Sequence, residues 1–273
     1  MTWDVDYLRD NRDENMGFLS KTLLPDGTEI PGTNFDYNYL QHRKVDVVSS
    51  ALDFILPFEK YKITAGAKVS FTNTRNGINY DTSDPTLVQD DYFRYKEQIY
   101  ALYADYSREF SERFSMQLGL RMEHTRTTGI SEAKDTEDKH DYTRLFPTVY
   151  LLYSPTDGHA LNFSFSNRIS RPSQNMVNPF PFYQNKYTYA CGREDLKPSY
   201  TYNVELGYTL KNNFNVSAYY SYSDDVFFQV VDLDAETNVT SFLWRISCRR
   251  MLSGLTIRTL SVPNGCKLTP SME

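Results

Sequence analysis

The stretch from Gly158 to Leu210 decides the fold of this chain of 273 residues. It holds two alternating segments, LNFSFSNRI at residues 161–169 and YTYNVELGYTL at residues 200–210, on either side of a long connection. Apolar side chains occupy every second position: Leu161, Phe163, Phe165 and Ile169 in the first, and Tyr200, Tyr202, Val204, Leu206, Tyr208 and Leu210 in the second. Successive side chains of a β-strand point to opposite faces of its sheet. Each segment is therefore predicted to be a strand with one apolar and one polar face. A soluble sheet seldom carries so many Tyr and Phe on one face of strand after strand, whereas a barrel in lipid needs them outside.

The same two-residue period recurs along most of the chain, and no segment fits a helical period. Its apolar positions are Leu52, Phe54 and Leu56; Ile63, Ala65, Ala67, Val69 and Phe71; Phe114, Met116, Leu118, Leu120 and Met122; Leu145, Val149, Leu151 and Tyr153; and Phe214, Val216, Ala218, Tyr220 and Tyr222. Trp3, Val5 and Tyr7 are consistent with one more strand. Residues 99–106 are ambiguous, because both of their faces carry apolar side chains.

The predicted connections fall into two classes. Short turns occur at residues 57–60, 110–113, 154–158 and 211–213, and long polar stretches occur at residues 73–91, 124–141 and 170–199. In an up-and-down sheet all the short turns fall at one end and all the long connections at the other. This asymmetry is typical of outer-membrane barrels, which have short periplasmic turns and long extracellular loops.

Composition narrows the function classes. The 22 Tyr and 17 Phe suit the aromatic girdles of a membrane barrel. A net charge of −6 without a basic patch along the sequence argues against nucleic acid as a partner. No run of about 18 apolar residues predicts a transmembrane helix, and Met1 leads into polar residues rather than a signal peptide. Three Cys and four His without metal-ligand spacing predict no disulfide framework, no metal and no cofactor.

A resemblance adds to this pattern. From Asn167 the chain reads NRISRPSQNMVNPFPFYQNKYTYACGREDLKPSYTYNVELGYTL. The order of its RPS segment, NPF, YTY run and LKPSY leading into ELGY resembles the outer-membrane β-barrel of the TonB-dependent receptors typical of Bacteroidota. One departure is visible: these receptors usually have a Gly-Asn-Pro turn before LKP, whereas here Gly192 is followed by Arg193 and Glu194.

The resemblance implies a parent barrel of about 22 strands with a plug domain, which imports a bulky nutrient. The implied partners are outer-membrane lipid, the TonB complex reached through the plug, and a surface lipoprotein if the receptor has one. Neither a plug nor a TonB-contacting segment is recognisable here. We therefore predict an all-β fold, an antiparallel up-and-down transmembrane β-barrel segment of roughly ten strands in the cell outer membrane. This partial barrel is expected to be either an open curved sheet or a strained small closure.

Two sets of side chains are candidates for contact with a ligand. The first lies in the long connection after residue 170, with Asn178, Gln184, Asn185 and Lys186 interleaved, and it can stack and orient a sugar or another nutrient: Phe180, Phe182, Tyr183, Tyr187 and Tyr189. The alternative is that these rings belong to the membrane girdle or pack the loop against its neighbours. The second set comprises charged residues of the polar rows, which are predicted to line the lumen: Lys68, Arg121, Glu123, Arg168 and Glu205.

Two other function classes stay open. One is an outer-membrane barrel enzyme, such as a phospholipase or a protease. It needs a Ser-His or Asp-His cluster across strands, since neighbours in one strand, such as Glu123 and His124, point to opposite faces. The other is a soluble β-sandwich that binds carbohydrate and buries its apolar faces against each other. No catalytic residue is predicted, and we expect a protein that is not an enzyme.

The sequence changes character after Trp244. Residues 1–244 are predicted to form the barrel segment, and residues 245–273 an aberrant tail that holds two of the three Cys, clustered Arg and no aromatic residue. With a permissive choice of codons, restoring one base after the Trp244 codon makes the next residues ENFLQTHAF, which resembles a continuing barrel strand. The rival is a natural, divergent extension. We expect residues after about Arg245 to pack poorly and not to join the sheet in register.

Overall fold

The structure, a computed structural model, describes residues 1–31, 35–82, 90–185, 187–211 and 213–259, which form one sheet of twelve strands. Ten strands are long: β1 (Thr2–Ser20), β2 (Phe35–Pro57), β3 (Tyr61–Thr82), β4 (Asp91–Ser111), β5 (Phe114–Ser131), β6 (Thr136–Tyr153), β7 (His159–Ser170), β10 (Ser199–Leu210), β11 (Phe214–Asp234) and β12 (Val239–Thr259). Three short elements lie between β7 and β10: α1 (Gln174–Val177), β8 (Pro181–Asn185) and β9 (Thr188–Cys191). Within the described ranges no helix has the length and apolar character needed to cross a membrane.

The long strands follow one another around the sheet in chain order, each antiparallel to the next. The sheet order is β1 to β7, then β10, β11, β12, β9 and β8. β1 stands at one edge and β8 at the other, so the sheet is not closed. These features confirm the predicted all-β, up-and-down partial barrel of about ten long strands.

The two faces of the sheet differ as the alternation predicts. Directly paired residues share a face, so the register aligns apolar side chains across the strands, as in the row Leu52, Ala67 and Leu102. On this face, Leu102, Leu120 and Leu206 are each more than half exposed. We call it the outer face. The register places Tyr100, Leu102, Ala104 and Tyr106 on it as well, which resolves the ambiguous segment. A single sheet with a large exposed apolar face is not a soluble sandwich, and it is stable only against lipid.

The strands are longer than the apolar pattern predicts. The short turns lie where expected, between β2 and β3, β4 and β5, β6 and β7, and β10 and β11. At the other end, β3 runs to Thr82, β5 to Ser131 and β6 back to Thr136, so much of the polar stretches 73–91 and 124–141 is strand. Beyond the lipid both faces of a strand can be polar, and the sequence then loses its two-residue period although the backbone still pairs.

The expectation that residues after Arg245 stay outside the sheet is wrong for residues 245–259. They extend β12 and pair in register with β11, from Phe228 opposite Arg245 to Phe214 opposite Thr259. The physical reason is an alternation within the tail: Met251, Leu255 and Ile257 lie on the outer face beside the apolar row of β11. Residues 260–273 lie outside the described residues.

Candidate functional site

The long connection between β7 and β10, residues 171–198, lies across one face of the sheet. We call it the inserted loop and the face that it covers the inner face. It contains α1, β8 and β9. Its residues contact several long strands, among them β1, β2, β3, β4, β5, β6 and β12. The loop therefore narrows the space that the polar rows line.

Arg171 fastens the start of the inserted loop to the wall. Its Nη2 atom donates to Glu123 Oε2 at 2.5 Å and to Thr125 Oγ1 at 3.2 Å, and its Nε atom lies 3.8 Å from Glu97 Oε2. The other carboxylate oxygen of Glu123 accepts a hydrogen bond from Arg121 Nε at 2.5 Å. Glu123 is almost fully buried. A buried carboxylate needs such partners, because removing its charge from water is costly without them.

An apolar cluster holds the middle of the loop. Val177 of α1 and Leu196 pack against Phe93 of β4, and all three are buried. Trp244 and Ile246 of β12 pack against the same group. The wall positions belong to the inner rows, where the polar pattern predicts hydrophilic residues. The inner face is therefore apolar where the loop lies on it.

Aromatic contacts hold the loop at β8. The ring of Phe180 stacks on Tyr80 with centroids 5.5 Å apart, and the ring of Phe182 meets Tyr39 edge to face at 5.0 Å. Lys134 Nζ donates to the carbonyl oxygen of Pro179 at 2.7 Å. These contacts order the rings and leave one side of Phe180 and Phe182 to line a cavity.

Gly192 allows the loop to fold back on itself. A Cβ at this position would overlap the carbonyl oxygen of Asn178 and lie 2.7 Å from that of Met176. Arg193 N donates to the same Met176 carbonyl oxygen at 2.7 Å. This close approach explains why a residue without Cβ is needed at position 192.

The Gly192→Ala variant is expected to lower the free energy of unfolding by about 1–3 kcal/mol, because the added methyl group must displace backbone atoms. Thermal unfolding in detergent and the emission of Trp244 measure this effect. The control is Gly77→Ala, whose Cβ would meet only the Tyr92 ring at 3.5 Å, an ordinary contact. Equal effects of the two substitutions would contradict the close approach.

A cavity of about 330 Å³ lies between the inserted loop and strands β1, β2, β3 and β12. Its walls combine aromatic rings, amides and one carboxylate: Glu14, Tyr39, Gln41, Asn76, Ile78, Asn175, Asn178, Phe180, Phe182, Ala190, Cys191, Gly192 and Trp244. Gln41 Nε2 donates to Asn76 Oδ1 at 2.8 Å, which orients both amides. No Lys or Arg belongs to this lining within the described residues. We call this space the loop cavity.

Comparison with known sequences identifies the family. The profile of the outer membrane protein beta-barrel family matches residues 1–245. The chain belongs to that family. No curated protein sequence matches the chain. Membership places this barrel segment in the cell outer membrane, and the apolar outer face is the side that meets lipid.

Solved receptors share the fold of this barrel segment. The copper transporter OprC is similar with a TM-score of 0.61 and 12% identity, over 93% of this chain and 44% of OprC. The ferric enterobactin receptor PfeA of Pseudomonas aeruginosa, a mutant bound to enterobactin, is similar with a TM-score of 0.55 and 14% identity, over 96% of this chain and 40% of PfeA. FpvAI in complex with pyocin S2 is similar with a TM-score of 0.51 and 15% identity, over 96% of this chain and 37% of FpvAI. The barrel segment thus spans less than half of each receptor, and the resemblance to TonB-dependent receptor barrels is confirmed.

The structure divides the five predicted ligand-contacting rings. Phe180 and Phe182 line the loop cavity. Tyr183 and Tyr189 pair with each other, centroids 5.3 Å apart, in the β8–β9 hairpin, while Tyr187 is exposed. Lys186 lies outside the described residues. Whether these rings bind a ligand stays a prediction.

All five predicted lumen charges lie on the inner face, as the register of β3, β5, β7 and β10 shows. The structure joins only Arg121 and Glu123. Lys68, Arg168 and Glu205 are exposed, and none of them is in an ion pair with a described residue. Arg168 lines, with Arg121 and Glu123, a second opening of about 470 Å³ on this face.

Sequence reasoning missed the wall residues that meet the loop. Glu97 lies two residues before the ambiguous segment 99–106, whose pattern does not predict the face of Glu97. Tyr39, Asn76 and Tyr80 belong to stretches without an apolar period. If the alternation of β3 is continued beyond Phe71, however, Asn76 and Tyr80 fall on the same face as Lys68. Arg171 belongs to the RPS segment that supports the family resemblance, but the sequence does not indicate which residues it contacts.

His124 does not form a catalytic relay with the two side chains that it contacts. His124 Nδ1 lies 3.0 Å from Thr143 Oγ1 and 3.6 Å from Asp141 Oδ1, so one ring nitrogen makes both contacts. A relay needs a different nitrogen for each partner. His42 contacts Asp13 across β1 and β2 on the outer face, with no serine hydroxyl bonded to it among the described residues. The similar solved proteins are a transporter and a receptor. The expectation that this chain is not an enzyme stays a prediction.

Proposed function

We propose that this chain is a wall segment of an outer-membrane receptor that imports a bulky nutrient. The loop cavity is the observation that carries the proposal, because it combines stacking rings and oriented amides on the inner face of a membrane barrel. The segment covers less than half of its structural relatives, so import is an activity of the whole receptor.

The lining of the loop cavity favours a neutral, hydroxylated ligand. Amides donate and accept hydrogen bonds, and Phe182 and Trp244 offer rings for stacking. An anionic ligand would need cationic groups, which the described lining does not contain. Tyr183, Tyr187 and Tyr189 would extend this binding surface, and Lys68, Arg168 and Glu205 would set the electric field along the path below it.

The partners follow from the proposed import. Energy would come from the TonB complex through a plug domain of the parent receptor, and a surface lipoprotein would assist if the receptor has one. Lipid would cover the outer face.

We also propose that residues 1–244 form the functional barrel segment and that residues 245–273 add nothing to import. The family match, which stops at residue 245, supports this division. Alternating, Tyr-rich strands in the plus-one frame downstream of the stop codon are expected from the frameshift hypothesis, and their absence would refute it.

The isolated chain is expected not to transport. In lipid the unpaired backbone groups of an open edge cost several kcal/mol each. Among the described residues β1 pairs only with β2, and β12 pairs with a second strand only over Thr240–Leu243, so both leave open edges. Liposomes that contain the purified chain should show no substrate-specific uptake. Specific uptake would overturn this part of the proposal.

Ligand binding is tested through Trp244, one of only two tryptophans. Trp3 lies on the outer face, 70% exposed, so a Trp3→Phe background isolates the signal of the loop cavity. The chain in nonionic detergent is titrated with maltoheptaose, a neutral oligosaccharide, and with ferric citrate, an anionic chelate. We expect maltoheptaose alone to change the Trp244 emission.

The matched variants are Phe182→Ala, in the cavity, and Tyr187→Ala, outside it in the same hairpin. Loss of a stacking ring should weaken maltoheptaose binding by about tenfold, whereas Tyr187→Ala should change it by less than about twofold. A response to ferric citrate alone would refute the neutral ligand. If neither probe changes the emission, or if both variants weaken binding equally, the loop cavity is not the ligand site.

A further inference from the structure

Three cationic side chains lie side by side on the outer face. Lys44 of β2 is directly opposite Arg75 of β3, which in turn is directly opposite Arg94 of β4. Lys96 lies two residues from Arg94 on the same face. The three strands thus present a continuous cationic row, which we call the basic row. It is assembled from segments 31 and 19 residues apart in the chain, and no stretch of sequence contains it.

No carboxylate of the described residues forms an ion pair with the basic row. Like charges directly opposite each other destabilise a sheet, yet none of these four cations is in an ion pair with a described residue. Outer-face carboxylates near the row form their ion pairs with other residues: Asp46, two residues from Lys44, with Arg9 at 2.6 Å, Asp13 with His42, and Asp141 with Arg126 at 2.9 Å. The Nε atom of Arg94 is shielded from solvent and has no hydrogen-bond partner in the described structure. An arrangement of this kind is stabilised by an external anion.

The position of the basic row indicates which anion. The apolar rows of β2 and β3 end with Val48 opposite Phe71. Lys44, four residues before Val48, and Arg75, four residues after Phe71, lie about 13 Å further from the short turns. A tilted strand brings them to the level of the lipid headgroups, and long Lys and Arg side chains can reach back towards that interface.

We propose that the basic row binds the phosphate groups of outer-leaflet lipid. The proposal rests on the outer-membrane location and on the long connections facing outward, as in the proposed receptor. Guanidinium groups bind phosphate oxygens in a bidentate manner, and an ammonium group adds a third positive charge. A headgroup with two phosphates can therefore bridge neighbouring strands and relieve their mutual repulsion.

The test measures binding of diphosphoryl lipid A to the full chain in nonionic detergent. The variant is Lys44→Gln/Arg75→Gln/Arg94→Gln. The control with the same change in charge is Lys60→Gln/Lys62→Gln/Arg113→Gln, near the short turns. We expect the basic-row variant to bind lipid A at least about tenfold more weakly, and the control to lose less than about twofold. Without lipid A, the basic-row variant should unfold at a higher temperature than the natural sequence, because the repulsion is gone.

Each outcome decides the proposal. Selective loss of lipid A affinity, together with the raised unfolding temperature, supports it. Equal losses in the two variants would show that only net charge matters and would overturn it. Full competition by inorganic phosphate at a concentration equal to that of lipid A would identify a free-anion site instead and overturn the assignment to lipid. Because no uptake or sugar binding is measured, failure here is distinct from failure of the proposed import.

Discussion

Leu118→Arg is expected to weaken insertion of the barrel segment into phospholipid by about 2–4 kcal/mol. Leu118 lies in the middle of the apolar row of β5, with Tyr106 and Val149 directly opposite it on the neighbouring strands. An arginine there would place a charge in hydrocarbon, where no water and no described anion can solvate it. Urea-dependent unfolding from phosphatidylcholine vesicles measures the loss.

The adjacent residue provides the control. Gln117 lies on the inner face of the same strand and is exposed there. Gln117→Arg adds the same charge to the water-facing side, where a substitution is expected to change stability by no more than about 0.5 kcal/mol. Comparable losses for the two variants would mean that the apolar face does not meet lipid, and the membrane orientation would have to be abandoned.

Arg171→Ala is expected to destabilise the folded chain by about 3 kcal/mol and to free the inserted loop. The substitution leaves Glu97 without its cation and Glu123 with Arg121 alone. Arg168→Ala is the matched control, because Arg168 is exposed on the same face and is in no ion pair with a described residue. Replacing the whole group, as Glu97→Gln/Glu123→Gln/Arg171→Met, should restore most of the stability, since no buried charge then lacks a partner.

Cys191 reports the release of the loop. Burial raises the pKa of the Cys191 thiol, and Sγ lies 3.0 Å from the Pro179 carbonyl oxygen. In a Cys248→Ser/Cys266→Ser background at pH 8, the natural loop should therefore react slowly with a maleimide. Release exposes the thiol and returns its pKa to the ordinary range, so Arg171→Ala should react faster and Arg168→Ala should not. Unchanged labelling in Arg171→Ala would show that Arg171 does not hold the loop.

The sequence predicts the part of the fold that lies in lipid. Where one face must be apolar, as in Phe114–Met122 of β5, alternation gives the strand, its orientation and the neighbouring turns. The polar half of β3 beyond Phe71 carries no such signal, because water accepts either face. The prediction for Met251–Ile257 was wrong because the unusual composition of the tail was given more weight than its alternation. Pairing with β11 needs only a compatible backbone and an apolar outer row.

The candidate site was predictable only in outline. Phe180 and Phe182 were recognised from their aromatic loop, but their wall partners Tyr39 and Tyr80 lie about 140 and 100 residues earlier in the chain. Loop positions have no period from which a register can be deduced. Arg171 and Glu97 became interpretable only when the loop was seen on the inner face, since a salt bridge between distant segments depends on tertiary packing and not on local pattern.

The parallel pairing of β9 with β12 also bears on the order in which the molecule assembles. Apart from β7 with β10, the long strands pair with strands that are their immediate neighbours in the chain. Each of these pairings can form soon after its two strands have been made. Thr188–Cys191 must wait for Thr240–Leu243, roughly fifty residues later in the chain. Closing so long a segment carries a larger entropic penalty and comes late in folding. The space lined by the inner face would then stay wide during assembly, and the inserted loop would narrow it only when β12 has paired.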